Sequence, residues 1–105
     1  MIYLVIVDKF APEGKKNLKR VLEWQKQLDN WLISHGAKFK SVKHFLTLIG
    51  EPIYETWLEY TNYAALDEDA EKAKEFVPDP EWQKLVSQMD IFFERVSSRI
   101  VKAIE

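Results

Sequence analysis

The chain has 105 residues, a mass of 12.4 kDa and a formal net charge of −2, which is one domain's worth of sequence and gives no electrostatic reason to expect nucleic acid or an anionic membrane as partner. It contains no cysteine, so disulfides, zinc–thiolate sites and thiol chemistry are excluded. Six Phe, four Tyr and four Trp supply a core, and no apolar run approaches the roughly 20 residues that span a bilayer.

Met1–Val7 is rich in β-branched residues and apolar at both parities, the pattern of a central strand covered on both faces. No basic stretch precedes it and no small-residue cleavage site follows, so it does not read as a secretory signal and a cytoplasmic location is expected. Ala11-Pro12-Glu13-Gly14 is a turn cluster. From Lys15 to His35 the period becomes helical: Leu18, Val21, Leu22, Leu28 and Leu32 form one stripe, and Trp24, Leu28, Trp31 and His35 an adjoining one. Gly36 stands where a helix-terminating glycine belongs.

Lys38–Ile49 and Ile53–Thr61 alternate and read as a hairpin about Gly50-Glu51, a two-residue type II′ loop. That loop sets Ile49 against Pro52, His44 against Trp57, Leu46 against Glu55 and Val42 against Glu59. One face of the hairpin then carries Val42, His44, Leu46, Leu48, Ile53, Glu55, Trp57 and Glu59. The other carries Phe39, Phe45, Ile49, Tyr54, Leu58 and Tyr60, and should lie under helices. Asn62 is a good N-cap for a helix to Phe76, which Val77-Pro78 stops. Asp79-Pro80-Glu81 restarts a helix to about Glu94, with an acid at the N-cap and proline at the first helical position. Val96–Ile104 is the last strand.

The order β-α-β-β-α-α-β predicts an α+β, ferredoxin-like domain over residues 1–105: a four-stranded antiparallel sheet of order 4-1-3-2 with helices on one face. The bare face would hold Trp57, Leu46, Leu48 and half of the first strand's apolar residues. A monomer rarely leaves so much contiguous apolar surface open, and a second copy on a two-fold axis is the simplest cover.

Several segments resemble the dimeric α/β-barrel superfamily, in its NIPSNAP-like and antibiotic-biosynthesis-monooxygenase-like branches. They are Met1-Ile2-Tyr3, Pro12-Glu13-Gly14-Lys15 before the long helix, the Gly50 hairpin, Leu58 through Leu66 from strand to helix, and Pro80-Glu81-Trp82. The resemblance covers nearly the whole chain and implies two sheets packed face to face into a barrel at a homodimer interface. It also implies that a cleft between sheet and helices is where some members oxidise aromatic substrates or degrade haem. The Asn/Trp/His set of the haem-degrading members has no match here: the first strand has no Asn, and neither histidine lies in the corresponding segment.

His44 with Trp57, Glu55 and Glu59 is the constellation best suited to chemistry, with Arg95, Ser97 and Arg99 sharing that face from the last strand. His44 could serve as a general base oriented by Glu59, since imidazole titrates near neutrality. Tyr54 and Trp57 could hold a ligand, and Arg99 an anionic one. The plainer reading pairs Glu55 or Glu59 with Arg95 or Arg99 across the dimer barrel and leaves His44 stacked on Trp57 as filler. Glu55 and Glu59 lie roughly 13 Å apart along a strand, too far for a glycosidase-type pair. His35 reads as a last-turn residue of the long helix. Two histidines with separate neighbourhoods predict no metal site, and three isolated glycines no phosphate loop, so no cofactor is expected. Trp24, Trp31, Tyr54, Tyr60, Tyr63, Trp82, Phe92 and Phe93 either line an aromatic cleft or fill the core. The function expected is a homodimer that binds a small hydrophobic or aromatic molecule. The alternatives are a cofactor-independent monooxygenase or isomerase on such a molecule, and a purely structural module.

Overall fold

The apolar run at the start of the chain forms strand β1, Ile2–Phe10, which continues three residues beyond Val7. In the computed structural model, which describes residues 1–104, β1 is an inner strand of a four-stranded antiparallel sheet of order β2-β3-β1-β4. The other strands are β2 (Ser41–Leu46), β3 (Ile53–Tyr60) and β4 (Phe93–Lys102). Helices α1 (Pro12–Lys16) and α2 (Leu18–Ser34) join β1 to β2; α3 (Tyr63–Phe76) and α4 (Pro80–Phe92) join β3 to β4. This is the expected ferredoxin-like topology, the 4-1-3-2 order read from the opposite edge.

The single helix read over Lys15–His35 is two. Pro12 opens α1, and Asn17 leaves helical geometry (φ −127°, ψ 48°) before α2 begins. Gly36 ends α2 in the left-handed region (φ +83°), as its position implied. The Asn62 side chain accepts the Ala65 N–H at 3.0 Å to cap α3. The Asp79 carboxylate accepts the Glu81 and Trp82 N–H groups at 2.8 and 3.4 Å to cap α4. α4 ends at Phe92 rather than Glu94, because Phe93 is already extended and opens β4 three residues before Val96.

The hairpin differs from the two-residue reading. Thr47 N–H donates to Ile53 C=O at 3.0 Å, and Ser41, His44 and Leu46 stand opposite Glu59, Thr56 and Tyr54. The loop therefore takes residues 48–52. The cause is Pro52, which has no N–H to close the narrow pair with Ile49 that a Gly50-Glu51 loop requires. The one-residue shift turns β2 over relative to β3. Val42, His44 and Leu46 share the helix side with Tyr54, Leu58 and Tyr60, while Phe45 joins Trp57 on the open side, their ring centroids 6.0 Å apart. Leu48 and Ile49 lie exposed in the loop.

A second irregularity falls between β1 and β4. Val7 pairs with Ser97 but Asp8 pairs with Arg95, so Val96 is an extra residue in β4. Arg95 is thereby on the helix side, away from Ser97 and Arg99. The core joins Val21, Trp24 and Trp31 of α2 to Tyr54, Leu85, Phe92 and Phe93. The Trp24 indole N–H donates to the Leu85 carbonyl at 3.0 Å. Gly14 is buried where α1 meets the end of α4, and a Cβ there would overlap the Phe92 carbonyl oxygen.

Candidate functional site

Three helices and the sheet fail to meet along one line, and an apolar cavity of about 390 Å³ results. α2 contributes Trp24, Leu28 and Leu32, spaced four apart and so on one stripe. α4 contributes Trp82, Leu85 and Met89, and the sheet contributes Leu4, Ile6 and Leu58. α3 supplies the reason for the space. It presents Ala70 and Ala73 beside Leu66, and none of its residues is buried. Methyl side chains on that wall do not reach the sheet, so Leu4 and Ile6 of an inner strand stay only half-buried.

The polar groups of the wall fall at two ends of β1. Tyr60 stands opposite Ile2, and Arg95 opposite Asp8, about 20 Å apart along the strand. The Tyr60 hydroxyl donates to Asp69 Oδ2 at 2.8 Å, and Asp69 also accepts the Lys38 N–H at 2.8 and 3.0 Å. Burial and then the Asp69 carboxylate push the Tyr60 phenol well above its ordinary range. Lys72 donates to the Gly36 carbonyl. At the far end Arg95 Nε donates to Asp8 Oδ1 at 2.7 Å.

The residues singled out from the sequence fall in three places. His44 lies on the helix side, where Asp29 of α2 reaches its Nε2 at 2.7 Å and the Thr56 hydroxyl its Nδ1 at 2.9 Å. Asp29, as a carboxylate, accepts only, so Nε2 carries the proton of that bond. The imidazole stacks on Tyr54, with centroids 5.6 Å apart, and not on Trp57. Tyr54 is 2 % exposed and its hydroxyl donates to Gln25 Oε1 at 3.2 Å. Burial, then Asp29 and Asp8, push its phenol up as well. Gln25 in turn donates to Asp29 Oδ1 at 2.9 Å, so Tyr54, Gln25, Asp29, His44 and Thr56 form one network that ties α2 to the hairpin.

Trp57, Glu59 and Arg99 occupy the open side of the sheet, separated from His44 by the sheet itself. Glu59 accepts the Tyr3 and Ser41 hydroxyls at 3.1 and 3.4 Å, and Arg99 approaches Glu55 at 3.8 Å. The His44–Glu59–Trp57 grouping is thus undone by the same one-residue shift that turned β2 over. His35 stacks on Trp31, with centroids 3.8 Å apart, and stays at the end of α2. Among the described residues no cluster of His, Cys, Asp and Glu could hold a metal ion. Of the expected aromatic cleft, Trp24, Tyr60 and Trp82 do line the cavity, whereas Trp31, Tyr54, Phe92 and Phe93 fill the core and Tyr63 lies exposed. The sequence reading missed Leu4, Ile6, Asp69 and Arg95 as wall residues; the Ala70 and Ala73 spacing on one helix face was the signal that could have found the space.

No family model matches the chain, and neither does any curated protein. Solved structures do. Protein Atu4242 from Agrobacterium tumefaciens is 17 % identical, with a TM-score of 0.69 over 99 % of this chain and 94 % of that one. An uncharacterised NIPSNAP domain protein from Burkholderia xenovorans is 14 % identical, with a TM-score of 0.70 over 99 % and 95 %. An antibiotic biosynthesis monooxygenase is 15 % identical, with a TM-score of 0.63 over the whole of both chains. At such identities the likeness bears on architecture, and the chain has the ferredoxin-like fold of the NIPSNAP and antibiotic-biosynthesis-monooxygenase type.

Proposed function

We propose that the protein binds a small, largely apolar or aromatic molecule in the cavity between sheet and helices. The observation that carries this is the half-buried state of Leu4 and Ile6 on an inner strand, facing an apolar space of about 390 Å³. Protein interiors close-pack, and a void of ligand size lined by apolar groups with few polar ones is the usual form of a small-molecule site. Trp24 and Trp82 in its wall give an optical readout. N-phenyl-1-naphthylamine should bind saturably, one per chain, with quenching of tryptophan emission. Ala73→Trp should abolish this while the protein stays folded, since the indole fills existing space. Probe binding that survives Ala73→Trp, or no binding to the wild type, would count against the cavity as the site.

A second reading is cofactor-independent oxygenation of the bound molecule, by comparison with the monooxygenase whose fold it shares. It is favoured by the Tyr60–Asp69 hydrogen bond at the wall, through which a carboxylate could draw a proton from a bound phenol. Uptake of dioxygen with a bound hydroxynaphthalene, lost in Tyr60→Phe, is the distinguishing result.

A further inference from the structure

We infer that the ligand is an amphipathic monoanion, and that Arg95 receives its carboxylate while the apolar body fills the cavity. The inference rests on the cavity reading above and adds the chemistry of the occupant. Arg95 reaches the wall only because of the extra residue at Val96. In an unbroken register Asp8 would face Val96, and Arg95 would point to the open side with Ser97 and Arg99. Bulges that re-aim a side chain recur beside functional sites.

The guanidinium is held but not used up. Asp8, 6 % exposed, accepts from Nε at 2.7 Å and fixes the group in place. Among the described residues, the one partner of the terminal nitrogens is the Met89 thioether, 3.8 Å from Nη2 and a weak acceptor. The end-on edge formed by Nη1 and Nη2 therefore remains for an incoming acceptor, and its fork matches a carboxylate in bidentate geometry. The other cation of the wall, Lys72, is engaged by the Gly36 carbonyl. With Asp8 held against Nε and Lys72 engaged elsewhere, the wall offers one guanidinium edge and no second cation, which matches one carboxylate and not a phosphate dianion. The rest of the wall, from Leu4 and Ile6 to Met89, asks for hydrocarbon.

The test compares 2-naphthoate with its neutral isostere 2-naphthamide by titration calorimetry at low salt. The wild type should bind the carboxylate at least tenfold more tightly than the amide. In the double variant Asp8→Asn/Arg95→Gln, which replaces the ion pair by a neutral one and leaves no buried unpaired carboxylate, the ratio of the two dissociation constants should fall to about one. Arg95→Lys, which keeps the charge and loses the fork, should give an intermediate ratio. Equal binding of acid and amide by the wild type overturns this inference and leaves the cavity reading intact. Binding of neither overturns both. Should the double variant fail to fold, the wild-type ratio and the Arg95→Lys ratio decide the matter.

Discussion

His44 meets Asp29 at one ring nitrogen and Thr56 at the other, and its ring lies against Tyr54. Asp29 belongs to α2 and both Thr56 and Tyr54 to β3, so the imidazole acts as a strut between α2 and the hairpin. A glutamine at this position can keep one of the two hydrogen bonds but cannot span both partners. His44→Gln should therefore cost about 1–2 kcal/mol, read as a lower urea midpoint, and should leave probe binding in the cavity unchanged because His44 does not line it. An unchanged midpoint would remove the strut argument, and a tenfold loss of probe affinity would return His44 to the site. The residues whose roles were legible in the sequence are those with partners two or three positions away. Asn62, Asp79 and Gly36 act on their own helix ends, and local spacing fixes such contacts. His44 was legible as a polar group of interest, but its partners depend on register, and Pro52's missing N–H decided that register from eight residues away.

At the scale of elements, the order of strands and helices followed from periodicity, while the boundaries shifted where tertiary packing overrode it. Phe93 reads as the last turn of a helix by spacing, yet it is drawn into β4 opposite Phe10, with ring centroids 5.3 Å apart. The junction between α3 and α4 was read more closely, because Val77-Pro78 and Asp79-Pro80 leave the backbone few choices. α4 carries Leu85 and Phe92 into the core and Trp82 and Met89 into the cavity wall, so its first turn anchors both. Asp79 is the side chain that satisfies that turn's N–H groups, with Pro80 needing none. Asp79→Ala should lower stability by about 0.5–2 kcal/mol, and Asp79→Asn by much less, because the amide oxygen can still accept. Equal denaturation midpoints for wild type and Asp79→Ala would show the cap to be redundant. α3 contrasts with α4: it holds no buried residue, and its ties to the rest of the chain include the polar contacts of Asp69 with Lys38 and Tyr60 and of Lys72 with Gly36. The cavity lies beneath it for that reason, and the chain's alanine spacing carried the information without showing which strand residues would face the space.

At the scale of the molecule, helices cover one side of the sheet, and among the described residues no element covers the other. The chain is a slab of 38 × 37 × 19 Å with a radius of gyration of 14.0 Å, against about 13 Å for a compact chain of this length. Its accessible surface is 6977 Å², whereas a monomer of 12.4 kDa is expected to expose about 6,100 Å². The excess, roughly 800 Å², is what one partner contributes to a protein–protein interface of standard size. On the open side Tyr3, Val7, Phe45, Trp57 and Val101 form an apolar strip over the buried Val5, flanked by Lys43, Glu55, Glu59 and Arg99. Leu46 and Leu48, expected on this face, do not belong to it. An apolar sheet face calls for a cover, and a second copy of the same face on a two-fold axis is the prediction to test. Sedimentation at tens of micromolar should give about 25 kDa, twice the chain mass of 12.4 kDa. Phe45 is 49 % exposed in the isolated chain, so Phe45→Glu should not disturb the fold of a monomer; in a face-to-face pair it buries an unpaired charge beside Trp57 and its symmetry mate. The variant should sediment as a folded species of 12.4 kDa with an unchanged circular dichroism spectrum. A wild type that is monomeric at that concentration, or a Phe45→Glu variant that remains a dimer, would show that the open face is not the interface.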